Sequence, residues 1–578
     1  MPFSAAARVK EPWRAIASRL AIWDASTAIR KTNHYPNFDH LTEGVGDCQH
    51  DTNEKTEGWN RVLDYDVVII GCGPVGGLAA NLLGKAGVRT LVVERVAEPH
   101  PLPRAVHIDH EVMRLFQSAG LVDRVSSLVR DTQGHMHIGA DGGVIRYMGT
   151  AGRPRPFGWS GDYFFYQPEL EAVLREGLGR FAEVDLRLGV ECLGIDQDAR
   201  GVRLRLAAPE GETVVSARWV IACDGASSPT RKALGVVLDD LDFEEPWLVV
   251  DAEVDGPLVF PGFHHVPEGA DLQQLSIMLC DPRRPATIVP GRGNHRRWEF
   301  MLLPGEDETT LDADAVEALV APWVGSAPSR IVRATTYRFH GLIAETWKVG
   351  RVFLAGDAAH QTPPFFGQGM CHGMRDVANL AWKLERVLSG TAPDGLLNGY
   401  QQEREPQVRS VIASAVEAGR YICMLDPVRA AERDAEMRAR QGDPVRTAAD
   451  LITPIRGLTL DSPGAGKRFI QPSVRLAQQE GLLDDATGGG LVILSRGEQG
   501  GVEPTLLQRL RIRHFRIGMD LEDAAGDLGR WLDEHQADAV LLRPDFYVFG
   551  TASGTGAVSG LARDFRHAVA AEETLCPA

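Results

Sequence analysis

Three things are scarce in this chain, and each scarcity closes off a class of function. Cysteine is the first: eight in 578 residues, with no C-x-x-C pair. That is too sparse for a disulfide-stapled scaffold and suits a reducing compartment, so a cytoplasmic location is expected. Long apolar runs are the second. No stretch approaches the roughly 18 uninterrupted apolar residues of a membrane span. Basic excess is the third: Lys plus Arg number 61 against 78 Asp plus Glu, a formal charge of −17. Such a surface repels phosphate backbones, so nucleic acid is not an expected partner. What remains, 44% apolar and 24% charged residues, is the composition of a folded, acidic enzyme, and the length suggests two or three domains.

Residues 1–60 read as an N-terminal extension, polar and without a strong strand pattern. Trp13, Ile16, Leu20 and Trp23 fall at helical spacing with Arg14 and Arg19 between them. Two readings stay open: an Arg-bearing targeting helix, or a helix packed on the body or a loose extension. Alternation of strand and helix patterns then begins. Residues 65–70 form a β-branched run suited to a parallel sheet buried on both faces, 75–86 a helix closed by Gly87, and 89–94 a second strand. This βαβ unit opens a domain over 61–240 that resumes at 345–425, with a helix at 168–180 and strands at 184–196, 203–206 and 213–220. A β-rich insertion occupies 241–344, with strands at 247–254, 287–289 and 297–303. A buried strand at 351–355 precedes a long helix at 373–388. A C-terminal domain over 430–578 resumes the β/α pattern at 491–494 and 539–542, with a terminal hairpin expected after it.

The sharpest local signal is Gly71-Cys72-Gly73-Pro74-Val75-Gly76. Alone, G-x-G-x-x-G is weak. Here a strand precedes it, a helix follows, and Glu94 ends the next strand 94 − 71 = 23 positions on. Gly71 permits the tight turn, Gly73 lets a pyrophosphate approach the backbone, and Gly76 lets helix and strand pack closely. The pyrophosphate then meets the positive end of a helix dipole, and Glu94 accepts from ribose hydroxyls. Far downstream stands a second signal, a strand ending in Gly356-Asp357. Asp357 suits a flavin ribitol hydroxyl, and Gly356 a close backbone approach. The glycine-rich stretch Pro363-Pro364 to Gly367-Gln368-Gly369, before the long helix, aims N–H groups at a flavin pyrimidine edge.

With Cys223-Asp224-Gly225-Ala226-Ser227-Ser228 between them, these segments make the chain resemble the FAD-dependent aromatic hydroxylases, the class A flavin monooxygenases. Pro103-Arg104-Ala105, Thr362-Pro363-Pro364-Phe365, the helix from Arg375 to Leu384 and Tyr400-Gln401-Gln402-Glu403-Arg404 bring it nearest the 3-(3-hydroxyphenyl)propionate hydroxylase group. The resemblance implies an α/β fold of the p-hydroxybenzoate hydroxylase type: a Rossmann-like FAD domain, an inserted β-rich substrate domain and a thioredoxin-like C-terminal domain. It implies that Gly71, Gly73, Gly76 and Glu94 take the ADP half of FAD. Arg104 would lie near the pyrophosphate and mobile flavin, and Gln167 against the flavin. Asp224 and Gly225 would serve FAD and NAD(P)H, and Gly356 and Asp357 the ribitol. The loop of Pro364, Gly367, Gln368, Gly369 and Met370 would face the isoalloxazine. Phe366 and His107 depart from what relatives carry at those places.

The implied reaction is monooxygenation. NADH or NADPH reduces FAD, O₂ adds at C4a, and the hydroperoxide passes its distal OH to a carbon ortho to a phenolic oxygen, on a 3-hydroxyphenylpropionate-like phenolic acid. Resorcinol-type or polyketide phenols use the same motifs. An oxidase or dehydrogenase is a rival, and a non-catalytic flavin-fold binding protein the remotest one. Phenolate reacts faster than phenol, so a group that removes the phenol proton is expected. His107, Tyr337 and Pro364 are the candidate catalytic residues, with Tyr337 and Arg338 as a wall of the substrate site. No metal is expected: His107-x-x-His110 and His135-x-His137 lack a completing ligand set. Cys371 has no partner for disulfide exchange, and Gly464-Ala465-Gly466-Lys467 lacks the Ser/Thr and strand of a P-loop. The C-terminal domain, without C-x-x-C, reads as structural or as the surface of a homodimer.

Overall fold

The computed structural model describes residues 63–571 apart from 100, 151, 308–310, 441–450 and 498–502. The helical reading of 13–23 lies outside the described residues, which belong to one compact unit. Its first sheet runs in the order Lys348–Val349, Val352–Leu354, Gly211–Ala222, Tyr65–Ile70, Thr90–Glu94 and Val184–Leu188. The four pairings from Val352–Leu354 to Val184–Leu188 are parallel. The run Tyr65–Ile70 is central because both its faces are covered. Val67 and Ile69 pack into a cluster with Leu78 and Leu83 of the helix Pro74–Lys85. Val68 and Ile70 pack into another, with Leu204 and Leu206 of the antiparallel strand Val202–Ala208. Each such fully buried side chain contributes roughly 1.5–3 kcal/mol. The expected strand 184–196 is two, Val184–Leu188 and Glu191–Gln197, parted at Gly189, whose φ of +71° breaks the extended path.

The second sheet is largely antiparallel: His360–Gln361, Ser329–Ala344, Leu238–Val254, His295–Met301, Ala286–Val289, Ser276–Leu279, Gly134–Ile138 and Val144–Gly149. Its last two strands come from outside the 241–344 segment and join by the parallel pairing of Ser276 with His135 through Leu279 with Ile138. The third sheet, from Gln479–Leu482 across to Val548–Ala552, carries the expected terminal hairpin, Ala539–Leu542 against Val548–Ala552. The long helix spans Gly369–Leu388 and starts four residues before the expected position. It is buried on nearly every side, so its polar side chains must be paired. Arg375 bonds Glu111 at 2.8 Å, Asp376 accepts from Arg404 at 3.0 Å, and Lys383 meets Glu403 at 2.8 Å. Arg543 and Asp545, in the C-terminal hairpin turn, extend that network: Arg543 donates to Glu403 at 2.7 Å and Asn379 to Asp545 at 3.0 Å.

Candidate active site

One cavity of about 740 Å³ lies between the first and second sheets, and both glycine turns open into it. Gly71 takes φ +96°, and a Cβ there would fall 2.5 Å from the Cys223 carbonyl oxygen. A Cβ on Gly76 would fall 1.9 Å from the Gly71 carbonyl oxygen, so backbone abuts backbone. Around Gly73 nothing lies within 4 Å, which leaves the helix N-terminus at Pro74 open to an anion. Glu94 lines the same cavity, one carboxylate oxygen accepting from Cys72 N at 2.8 Å and the other from Val96 N at 2.9 Å. Asp224 accepts from Ser228 Oγ at 2.5 Å and from Thr230 N at 3.0 Å, and Gly225 follows at φ +82°.

From the far side come Asp357, Pro364, Gly367, Gly369 and Met370. Asp357 is exposed where it lines the cavity, yet desolvation by the protein around it pushes the carboxyl above its ordinary value, against the pull of His360 and Arg104. Gly367 sits at φ +63° with His107 directly over it: a Cβ would lie 2.7 Å from Nδ1. Arg104 and Ala105 donate their backbone N–H groups to Gln167 Oε1 at 3.0 and 2.7 Å, and Gln167 is anchored in turn on Glu171 at 2.6 Å. Three expected residues stand behind the lining. Gly76 and Gly356 are packing positions, Gly356 against Val75. Gln368 is fully buried and accepts from Arg375 at 3.1 Å, so its side chain is a brace for the long helix and not a cavity contact.

The opposite wall is the second sheet, and its register says which residues share the face. Val249 pairs with Glu299, Glu299 with Thr287 and Thr287 with Met278, and all four line the cavity. Below them stand Arg297 and Arg333, both on Asp251 at 2.8 and 2.6 Å. Arg297 also donates to the carbonyls of Pro103 and Arg104, and Arg333 to that of Pro103 at 3.0 Å. The wall is thereby bolted to the segment that Gln167 holds. Tyr337 lines the mouth, 37% exposed, its hydroxyl accepting from Arg333 at 3.2 Å.

The turn at 71–76 meeting Asp357 across one cavity is the arrangement a dinucleotide-length cofactor needs. A family model described as an FAD binding domain matches residues 64–415, and one described as the HcaD C-terminal domain matches 466–568. A probable NADH-specific resorcinol 4-hydroxylase of Rhodococcus jostii is 35% identical over 531 residues, 89% of this chain and 97% of that one. The chain belongs to the FAD-dependent aromatic hydroxylases. A 3-(3-hydroxy-phenyl)propionate/3-hydroxycinnamic acid hydroxylase of Burkholderia cenocepacia is 34% identical over 536 residues, covering 85% and 94%. Aklavinone-11 hydroxylase, solved with FAD and aklavinone, shares the fold at TM-score 0.73 and 24% identity over 88% of this chain and 99% of that one. FAD fits the residues present: the space a Cβ would fill at Gly73 is open, and N–H donors at the starts of two helices face the cavity. When bound, the flavin supplies the redox and oxygen chemistry that no side chain can.

In this hydroxylase the histidines divide sharply. His107 places Nε2 2.8 Å from Asp162 Oδ1 and Nδ1 3.3 Å from the Gly367 carbonyl. Both partners accept, so both ring nitrogens carry protons. Burial alone would push this imidazolium down, but the Asp162 carboxylate outweighs it and holds the group well above the ordinary histidine value. Neither nitrogen of His107 is then free to take the phenol proton expected of it. His135, on the strand Gly134–Ile138 of the second sheet, approaches His107 edge-on with ring centroids 5.8 Å apart. Donor atoms of His107, His135 and Asp162 all lie within 4.8 Å of one another, whereas the spacing pairs His107/His110 and His135/His137 do not form the cluster. His135, Asp162, Glu299, Asp251, Arg297 and Arg333 carry no local motif. Only the alternating His135-x-His137 pattern marked one of them.

Proposed function

We propose that this hydroxylase inserts one oxygen of O₂ ortho to the hydroxyl of a single-ring phenolic acid of the 3-hydroxyphenylpropionate kind, with NADH or NADPH as reductant. In this reading the ADP half of FAD lies against Gly71, Gly73 and Glu94, the ribitol at Asp357, and the isoalloxazine against the 364–370 loop with Arg104 and Gln167. The observation that carries it is the shared cavity: the glycine turns and Asp357 on one side, and on the other a sheet wall with space between. Arg104 and Arg338, both more than half exposed on the cavity lining and the second paired with Glu244 at 2.7 Å, are the cations a substrate carboxylate would meet. Closure of the wall over the flavin keeps water from the reacting oxygen.

A second reading, an uncharged resorcinol-type phenol, is supported by the deep arginines: Arg297 and Arg333 are already committed to their shared counter-ion Asp251 and to the carbonyls of Pro103 and Arg104, and the 35% identical relative carries that name. Purified yellow protein given NADH or NADPH with 3-(3-hydroxyphenyl)propionate or resorcinol tests both. Substrate-stimulated nicotinamide oxidation with a product 16 mass units heavier and little H₂O₂ is expected, and stoichiometric peroxide without product would make the protein an oxidase. Among the described residues no helix is long and apolar enough to cross a membrane. A cytoplasmic homodimer completes the reading, with light scattering of the full chain as its check.

A further inference from the structure

We propose that His135 is the residue that accepts the phenol proton of this hydroxylase, with the His107–Asp162 pair as its fixed positive neighbour. The inference rests on the phenol reading above and adds to it the group that performs the ionisation. Both ring nitrogens of His135 are shielded from solvent and have no hydrogen-bond partner in the fold, yet the side chain lines the cavity. An imidazole so placed costs stability unless a ligand completes its bonding. His135 sits on the strand Gly134–Ile138, in register with Ser276, another cavity residue. It therefore belongs to the substrate wall, one ring away from the residue that clasps the flavin loop.

The titratable groups facing it are His107 and Asp162, from a small sheet of the strands His107–Asp109, Asp162–Phe165 and Val129–Asp131, and His137 two residues along its own strand. Burial pushes His135 down to about 4, with Asp162 opposing and His107 reinforcing. At neutral pH it is an uncharged ring with one lone pair to offer. A phenol O–H donates to that lone pair. As the ortho carbon bonds to the incoming oxygen, the O–O bond breaks with its electron pair leaving on the second oxygen, the phenol O–H bond breaks with its pair staying on the phenolic oxygen, and the proton passes to His135. When that carbon sheds its own hydrogen as a proton to solvent, His135 returns its proton to the phenolic oxygen. One atom of O₂ ends on the ring and the other in water, with two electrons from NAD(P)H. The positive His107 nearby stabilises the negative charge that grows on the phenolic oxygen.

The test uses the full-length FAD-loaded enzyme and variants H135N, H135Q and H107N, with 3-(3-hydroxyphenyl)propionate and resorcinol as probes. If the wild type consumes nicotinamide with neither phenol, the functional reading itself fails. If it turns over, H135N is expected to retain flavin and NADH-driven flavin reduction. Its product formation at pH 7 should fall about 100-fold or more, and recover as pH rises toward the phenol's own ionisation near ~10. H107N is expected to lose flavin affinity without that alkaline recovery. The proposal is overturned by an unchanged pH profile in H135N, or by alkaline recovery appearing in H107N instead. Loss of bound flavin in both His135 variants would make the ring a packing element, also against the proposal. So would activity that EDTA abolishes and a divalent cation restores, since His107, His135 and Asp162 would then be ligands.

Discussion

The two sides of the cavity are built by different means. The side proposed for the cofactor is made of backbone: tight turns at 71–76, 224–225 and 367–369, where what matters is that no side chain intrudes. The side proposed for the substrate is made of side chains presented by strands that meet only in the fold, such as Val249, Glu299, Thr287 and Met278 across four strands. Backbone sites tolerate no added atom but ask little of distant sequence. Side-chain walls tolerate exchange at single positions and can change substrate without touching the flavin.

Glycine substitutions should break the cofactor side outright. Gly76→Ala places a methyl 1.9 Å from a backbone oxygen with no flexible neighbour to yield, so purified protein is expected to be colourless, or insoluble through overpacking. Gly73→Ala is the sharper probe. It has φ −73° and open space, so the chain should fold normally and lose flavin affinity at least tenfold, measured by flavin fluorescence on titration. Wild-type affinity in Gly73→Ala would remove the pyrophosphate from that turn.

The substrate wall is expected to respond through stability. Asp251 is fully buried and is the shared counter-ion of Arg297 and Arg333. Asp251→Asn leaves two buried guanidinium groups undercompensated, a loss of about 3–5 kcal/mol seen as a lowered Tm with flavin still bound at low temperature. The acid limb gives the sign. Burial alone would raise the Asp251 carboxyl, but the His295 imidazole at 3.1 Å and the charges of Arg297 and Arg333 hold it down at about 2. A depressed carboxyl stabilises the fold above its unfolded value near ~3.9 and loses that contribution as pH falls toward its folded value. Wild type should therefore lose about 2–3 kcal/mol more than Asp251→Asn between pH 5 and pH 2. Equal acid sensitivity would mean that Asp251 is not the wall's charge centre.

The same division decided what the sequence made legible. The turn Gly71-Cys72-Gly73-Pro74-Val75-Gly76 is contiguous, so its spacing carries its geometry, and Gly356-Asp357 does the same at the other end of the cavity. Period-two alternation reveals a strand but not its neighbour. Nothing local announces that Gly134–Ile138, from inside the first segment of the FAD domain, pairs with Ser276–Leu279. His135-x-His137 is consequently read as an incomplete metal spacing, and the true neighbours of His135, His107 and Asp162, lie 28 and 27 residues away in sequence (135 − 107 and 162 − 135). Gln368 misleads for the opposite reason: a loop motif places its backbone but leaves its side chain to turn inward onto Arg375. The early start of the long helix at Gly369 follows from the left-handed Gly367, which finishes the turn in time for helix N–H groups to face the cavity.

The smallest effect is expected at Tyr337, and it separates the two rows of the wall. Its hydroxyl accepts one hydrogen bond, from Arg333 at 3.2 Å, and its ring lies 5.7 Å from the Arg333 guanidinium carbon. Arg333 keeps Asp251 and the Pro103 carbonyl when that hydroxyl is removed. A hydrogen bond of this kind is worth about 0.5–1.5 kcal/mol net, less where solvent competes, and Tyr337 is 37% exposed. Tyr337→Phe should therefore raise KM for the phenol no more than about 3-fold, leave kcat within experimental scatter and preserve the pH profile. A fall in kcat of tenfold or more, with the hydroxylation rate recovering at alkaline pH, would move the phenol's partner from His135 to the cavity mouth. The ring would then enter the cavity the other way round, hydroxyl outward, and any carboxylate on it would have to reach inward toward Glu299. That carboxyl group is itself buried and held above its ordinary value, despite the charge of Arg297. Two carboxyl groups confined there would repel whenever both were ionised, so a large Tyr337→Phe effect should appear with resorcinol and vanish with 3-(3-hydroxyphenyl)propionate.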